Sequence, residues 1–152
     1  MTTRDAVVAR ARELLGVRFR HQGRSARHGL DCLGLLMVVA EGCGIRFDEL
    51  APSALDRTDY GSRPDAALLE ALLTQWLQPV AQVRPGDVLL LRVQGAPQHL
   101  ALVTDYPQAG ALGMIHAYAP ARMVVEHRYD KAWQATTHGA FSIPQLTDGS
   151  EK

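Results

Sequence analysis

Two kinds of apolar spacing divide the chain into a helical first half and a strand-rich second half. In residues 2–15 and 64–77 apolar residues recur three and four positions apart, which predicts two amphipathic helices. Between them, the segment from Leu33 to Ala40 is almost entirely apolar and ends at Gly42. This segment predicts a buried helix over about residues 31–41, with Asp31 as its N-cap and the glycine as its stop signal.

Beyond residue 85 the apolar positions form short runs that are typical of buried strands. The runs cover residues 88–93, 98–104, 112–118, 123–127 and 139–142. Because helices come first and strands second, we predict an α+β fold, with the helices packed on an antiparallel sheet, rather than a parallel α/β fold. Residues 17–29 and 47–63 show neither spacing and are predicted to be loops.

The length of the chain favours one domain. A chain of 152 residues is long enough to bury a substantial core, and we assign residues 1–146 to a single domain and the polar residues 147–152 to a flexible tail. No apolar run approaches the roughly 20 residues that span a bilayer, and the first residues lack the apolar core of a signal peptide. We therefore expect synthesis in the cytoplasm and no membrane association.

The charge balance argues against nucleic acid as a partner. Lys and Arg number 16 and Asp and Glu number 16, so the formal net charge is zero. The basic stretch over residues 18–28 contains no series of aromatic residues on which bases could stack. This stretch is better interpreted as a solvated loop.

Cys32 stands where the predicted loop becomes the buried helix, and it is the candidate nucleophile. A thiol at a helix N-terminus is close to unpaired backbone N–H groups and the positive end of the helix dipole, so we expect a lowered pKa. Cys43 lies eleven residues further on, which is about 16 Å along a helix and too far for a disulfide. We expect two free thiols, with Cys43 packed at the end of the helix.

A cysteine nucleophile needs a base and a group that orients it. His99 and His116 lie in consecutive predicted strands, and a hairpin that turns between Pro107 and Gln108 would place them directly opposite each other on one face. One ring could then act as base while the other fixes its tautomer. A one-residue slip would separate the rings, so the hypothesis depends on the register.

The other histidines and other chemistries fit less well. His21 and His28 lie in the loop before Cys32 and could reach the site, whereas His127 and His138 are predicted at the surface or at strand ends. A zinc site built from Asp31, Cys32, His99 and His116 would lack the His-x-x-x-His and Cys-x-x-Cys spacings of such sites. A serine hydrolase would need a Gly-x-Ser-x-Gly turn that this sequence does not contain. We predict no metal and no cofactor.

Five segments carry a family resemblance. They are Gly16-Val17-Arg18-Phe19-Arg20-His21-Gln22-Gly23, Asp31-Cys32-Leu33-Gly34-Leu35, Pro85-Gly86-Asp87-Val88, His99-Leu100-Ala101 and Ile115-His116-Ala117. In this order, and over roughly residues 5–145, they resemble the motifs of the NlpC family of papain-like cysteine peptidases. The Asp-Cys-Leu-Gly and Arg-His-Gln-Gly segments are especially similar to those of members encoded with phage tails and gene-transfer agents.

The resemblance implies a papain-like core that cleaves peptide stems of bacterial peptidoglycan, commonly between D-glutamate and a diamino acid. It implies that Cys32 is the nucleophile, His99 the general base and His116 the residue that orients the base, with no cofactor. It also implies action at the cell wall, with phage tail proteins as further partners. The alternatives are a tail-assembly subunit with little turnover, and an amidase or acyltransferase that uses the same Cys/His site.

Two departures from the family pattern concern substrate binding. Phe19 stands where many members have Tyr, and Leu33 stands where many have Ser after the cysteine. We expect the backbone N–H of Cys32 to meet the oxyanion. Four further residues near the nucleophile are candidates for substrate or oxyanion contacts: Phe19, His21, Gln22 and Asp31.

Overall fold

The computed structural model of the protein describes residues 2–45, 66–144 and 146. The predicted loop over residues 47–63 and the predicted tail over residues 147–152 lie outside these ranges. In chain order the helices and strands are α1 (Arg4–Glu13), β1 (Arg24–Ser25), β2 (Gly29–Leu30), α2 (Cys32–Gly42), α3 (Ala66–Trp76), β3 (Gln78–Pro79), β4 (Val88–Val93), β5 (Ala96–Thr104), β6 (Gly113–Tyr118), a 3₁₀ turn (Ala119–Ala121), β7 (Met123–Arg128), α4 (Lys131–Ala135) and β8 (Thr137–Ser142).

The larger of two sheets has six strands in the order β3-β8-β4-β5-β6-β7, and every neighbouring pair is antiparallel. The helices precede nearly all of this sheet in the chain, which confirms the predicted α+β fold. The predicted strands and helices agree with the observed ones to within about two residues at each described end. The hairpin of β1 and β2 and the short helix α4 lie in stretches where the sequence shows no periodic spacing.

Successive side chains of each strand point to opposite faces of the sheet, and apolar residues are buried on both faces. Leu100 and Leu102 of β5 and Ile115 of β6 pack with the apolar side of α2 in the main core. Ala101 and Val103, the intervening residues of β5, belong to a smaller apolar cluster on the other face. Both faces of β5 are therefore covered, which explains why its sequence is continuously apolar.

The predicted register of the β5–β6 hairpin is wrong by two residues. Leu102 pairs with Ile115 and Thr104 with Gly113, so the turn is centred one residue later than predicted. Continuing this register along the strands places His99 diagonally across from His116 rather than directly opposite. A shift of two residues preserves the side-chain alternation, so the two histidines still share one face.

Irregular pairing bends the sheet next to His99. Between β4 and β5, Leu91 pairs with His99 but Arg92 pairs with Pro97, so β5 has one extra residue, Gln98. A second irregularity lies at the same level on the other side of β4, where Leu91 pairs with Thr137. Bulges increase the local twist and change the direction of neighbouring side chains. They occur here at the end of the sheet that carries His99.

The start of α2 is held by its N-cap and by a close backbone contact. The Asp31 carboxylate accepts a hydrogen bond of 2.8 Å from the Gly34 N–H, as predicted for an N-cap. A side chain at Gly34 would overlap the carbonyl oxygen of Gly23 in the preceding loop. Only glycine at this position lets the loop backbone lie against the first turn of the helix.

A buried ion pair attaches α1 to the start of β4. Arg4 Nη1 lies 2.7 Å from Asp87 Oδ1 and donates a second hydrogen bond to the Pro85 carbonyl. The other Asp87 oxygen accepts from the Arg84 N–H. The Pro85-Gly86-Asp87 motif is therefore a structural joint. Within the described residues, no helix is long and apolar enough to cross a membrane.

Two alanine substitutions in α2 test the backbone contact. We expect Gly34→Ala to lower the free energy of unfolding by about 2 kcal/mol or more, because the new methyl group must displace the loop backbone. Gly42→Ala in the same helix is the matched control, since the atoms nearest to its methyl group would belong to the flexible Arg10 side chain and not to backbone. Urea unfolding should show the Gly42 variant within about 1 kcal/mol of wild type. Equal effects of the two substitutions would contradict the contact.

Candidate active site

A cleft of about 1000 Å³ lies where the start of α2 meets one end of the sheet. Cys32 at the helix start and His99 near the start of β5 both line it. The end of β4, the end of β6 and helix α4 complete the walls. The further lining residues are Phe19, His21, Asp31, Arg92, Val93, Gln98, Ala117, Tyr118, Ala119, Pro120 and Trp133.

The Cys32 thiol is buried and its pKa is raised, contrary to the prediction from its helix position. The residue is 5% exposed. Loss of hydration and then the neighbouring Asp31 carboxylate raise the pKa of the thiol to about 12, although the backbone N–H groups of Leu100 and Leu33 and the charge of Arg24 act in the opposite direction. Burial outweighs the helix terminus because a thiolate loses more from desolvation than these donors return. The resting side chain is a neutral thiol.

His99 lines the same cleft as Cys32, and its imidazole is neutral at pH 7. Burial lowers the pKa of its imidazole to about 4. Its Nε2 lies 2.7 Å from His116 Nδ1, so one ring nitrogen is engaged and Nδ1 remains. The cleft thus combines an uncharged thiol with an uncharged imidazole that retains a basic nitrogen.

His116 lies behind His99 and is completely buried. Burial, followed by the nearby His99 and His127, lowers the pKa of His116 to about 2. Its Nε2 lies 2.8 Å from His127 Nε2, and His127 Nδ1 lies 2.9 Å from the Arg128 carbonyl oxygen. His127 was predicted at the surface or a strand end, and it is the last residue but one of β7. It is half-buried and continues the row of rings, which the sequence did not predict.

The row follows a diagonal across three neighbouring strands. His116 on β6 pairs with Val125 on β7, and His127 is two residues beyond Val125 on the same face. His99 on β5 has the same diagonal relation to His116. Diagonal neighbours in a sheet are about 7–8 Å apart, a gap that two imidazole rings can bridge.

Two aromatic side chains pack on the row. The Tyr118 ring is stacked on His116 with ring centres 4.7 Å apart. Trp133 packs edge to face on His116, with ring centres 5.1 Å apart. Its ring is tilted against that of His127, with centres 5.2 Å apart. These contacts contribute to the burial of His116.

The four candidate substrate or oxyanion residues occupy different places. Phe19, His21 and Asp31 line the cleft. Gln22 is not among the described lining residues; it lies in a turn with φ of 60°, and its N–H donates to Asp31 Oδ2 at 3.1 Å. The Asp31 carboxylate also pairs with Arg24 at 2.8 Å. Its observed contacts are those of a structural residue at the edge of the cleft.

Sequence reasoning did not single out several residues of the site. Tyr118 follows His116 by two residues, so strand alternation could have placed it on the same face. Trp133 lies in the short helix α4, and no periodic pattern marks that segment. His138, which was predicted at the surface or a strand end, is exposed there and contacts Glu70 at 3.2 Å.

The arrangement suits nucleophilic catalysis in which proton transfer accompanies attack. A neutral thiol at pKa about 12 is a poor nucleophile until its proton moves to a base, and the free nitrogen of His99 is available for that transfer. Among the described residues, no group of three or more His, Cys, Asp or Glu side chains is arranged to hold a metal ion.

The fold and this cleft define a papain-like α+β domain with a cysteine at the start of a buried helix and a histidine on the adjoining sheet. Residues 16–142 match the NlpC/P60 family, which covers most of the chain. The protein therefore belongs to the NlpC/P60 family. No curated protein matches the chain.

Solved structures of NlpC/P60 proteins share the fold. The NlpC/p60 domain of the peptidoglycan hydrolase SagA has a TM-score of 0.56 and 22% identity, with 93% of this chain and 100% of that chain covered. A lipoprotein-like family member from Staphylococcus aureus has a TM-score of 0.62 and 17% identity, with 95% of this chain and 42% of that chain covered. A family member from Bacillus cereus has a TM-score of 0.63 and 17% identity, with 91% of this chain and 39% of that chain covered. This chain thus spans about two-fifths of the last two proteins.

Alkylation of Cys32 tests its ionisation. In a Cys43→Ser background, we expect iodoacetamide to react with Cys32 at least tenfold more slowly at pH 7 than with free cysteine, because the thiolate fraction is small. The rate should keep rising with pH beyond about 8.5, where the rate for an ordinary thiol levels off. A plateau below pH 8 would show a stabilised thiolate and contradict the raised pKa.

The buried histidines predict a loss of stability in acid. In the unfolded chain these histidines take up protons below about pH 6.5. In the folded protein, His99 stays unprotonated down to about pH 4 and His116 down to about pH 2, because their pKa values are lowered. The free energy of unfolding should be at its full value above pH 6.5 and fall by up to about 1.4 kcal/mol per pH unit per ring as the pH drops. Urea unfolding at several pH values measures it. His116→Phe should flatten this dependence, whereas His28→Phe, in an exposed loop, should not.

Proposed function

We propose that this protein is a cysteine peptidase that hydrolyses peptide stems of bacterial peptidoglycan. The observation that carries the proposal is that Cys32 and His99 line one cleft, with His116 hydrogen-bonded behind His99. Membership of the NlpC/P60 family supports it, as does the shared fold with the NlpC/p60 domain of the peptidoglycan hydrolase SagA.

The proposed reaction is acyl transfer to Cys32 followed by hydrolysis. His99 takes the thiol proton as Sγ attacks the carbonyl carbon of the scissile amide. The backbone N–H of Cys32, at the helix start where N–H groups have no partner within the helix, donates to the oxyanion. His99 then protonates the leaving amine as the C–N bond breaks. Water, deprotonated by His99, cleaves the thioester and the thiol is restored.

The substrate is proposed to be the bond between D-glutamate and a diamino acid. Stem peptides carry free carboxylates, and Arg92 brings a positive charge to the wall of the cleft. Its guanidinium donates to the carbonyls of Ala135 at 2.8 Å and Thr137 at 3.2 Å, which hold it at the end of β4. A positioned guanidinium suits recognition of a carboxylate.

The biological setting is also a proposal. We propose that the protein is made in the cytoplasm and acts at the cell wall as part of a phage or phage-like tail, with tail proteins as its partners. The support is the similarity of its Arg20-His21-Gln22-Gly23 and Asp31-Cys32-Leu33-Gly34 segments to those of tail-associated members.

Digestion of defined muropeptides tests the function. We expect the wild-type protein to release products whose masses correspond to cleavage between D-glutamate and the diamino acid, because the Cys32–His99 pair can cleave an amide. Cys32→Ala should abolish the products, whereas Cys43→Ser, which replaces a thiol outside the cleft, should leave them unchanged.

Three results would contradict the proposal in different ways. Equal cleavage by the wild type and Cys32→Ala would exclude Cys32 as nucleophile. Folded wild-type protein without any product would favour the tail-assembly role. Products of another mass, such as those of an amidase or an acyltransferase, would change the reaction class.

A further inference from the structure

We propose that His127 is a positioning residue for the base: together with the Arg128 carbonyl it sets the tautomers of all three histidines, so that His99 presents an unprotonated Nδ1. The inference rests on the proposed role of His99 as base for Cys32. Its geometry is independent of that role, since it follows from three hydrogen bonds and from the valence of imidazole.

The end of the row next to Arg128 determines the direction of the hydrogen bonds. His127 Nδ1 lies 2.9 Å from the Arg128 carbonyl oxygen, and a carbonyl oxygen can only accept. His127 Nδ1 must therefore carry a hydrogen. A neutral imidazole has one N–H, so His127 Nε2 is left as an acceptor.

The tautomer of His127 determines those of His116 and then His99. His127 Nε2 accepts, so His116 Nε2 is the donor in their 2.8 Å contact. His116 is neutral, so its Nδ1 accepts, and His99 Nε2 is the donor in the 2.7 Å contact. Neutral His99 then has no hydrogen on Nδ1. That nitrogen is the one available to take a proton in the cleft.

Complete burial supports a neutral His116 ring. Tyr118 and Trp133 also pack on His116, so a charged ring there would lose its hydration without gaining a carboxylate partner among the described residues. Neutral rings also avoid three like charges within one short row.

The direction of the hydrogen bonds along the row suits both the neutral and the protonated state of His99. When His99 has accepted the thiol proton at Nδ1, it still donates from Nε2 to the His116 acceptor, so no neighbouring ring has to exchange its tautomer. The hydrogen bond then becomes charge-assisted and stronger. Without His127, His116 could instead carry its hydrogen on Nδ1 and donate to His99 Nε2. That arrangement would place the His99 hydrogen on Nδ1 and block the base.

Ring-nitrogen NMR on protein labelled with ¹⁵N-histidine tests the inference without any substrate. In Cys32→Ala protein we expect His99 and His116 in the Nε2–H tautomer and His127 in the Nδ1–H tautomer. Adding His127→Phe should give His99 a substantial Nδ1–H population. Adding His127→Gln should preserve the wild-type pattern, since a carboxamide can accept from His116 and donate to a carbonyl. His138→Phe, outside the row, is the matched control and should change nothing.

Kinetics with Cys32 intact provide the second readout. We expect His127→Phe to lower kcat about tenfold or more with KM within about twofold, because the base is present but often in the wrong tautomer. His127→Gln should restore most of kcat. A His99 tautomer unchanged in His127→Phe would overturn the positioning role even if the wild type cleaves muropeptides. A shifted His99 tautomer in His127→Phe, together with folded wild-type protein that cleaves no muropeptide, would support the tautomer assignment while refuting the proposed function.

Discussion

The carboxylate of Asp31 is the constraint on which the cleft depends. It accepts from the Gly34 N–H inside the first turn of α2 and from the Gln22 N–H in the preceding loop, and it pairs with Arg24. Helix α2, which begins at Cys32, and the loop that forms one cleft wall are thereby joined by one buried group. The same negative charge is the second cause of the raised pKa of Cys32. The anchor that places the thiol therefore also adds to the effect of burial, which is the main cause of the raised pKa of Cys32.

In the proposed mechanism, the neutral state of the Cys32 thiol makes the protonation state of His99 important. With the thiol neutral, the proton must move during attack, so the state and direction of His99 matter more than they would for a preformed thiolate. The sheet provides that control through a row of buried rings that ends at a backbone carbonyl. A backbone acceptor cannot rotate away or change its protonation state. Tyr118 and Trp133 pack on the central ring, His116, which is completely buried.

Sequence reasoning performed well where it depended on local periodicity. The apolar runs predicted the helices, the strands and their order, and alternation placed His99 and His116 on one face. It was wrong about the hairpin register and the pKa of Cys32, and it did not predict that His127 extends the row of rings. None of these three features follows from a periodic spacing: they depend on the path of the turn, the burial around the thiol and the packing of Trp133. The roles of Cys32, His99 and His116 themselves remain predictions.

The sequence alone determined the α+β order of elements, the cysteine at a helix start with Asp31 as its cap, and two histidines in neighbouring strands, because these follow from spacing and residue type. Only the tertiary structure decided that His99 is bound through Nε2, that a third histidine extends the row, and that Cys32 is a neutral thiol. Register, bulges and desolvation arise when separate segments pack together, and no local pattern in the chain encodes their outcome.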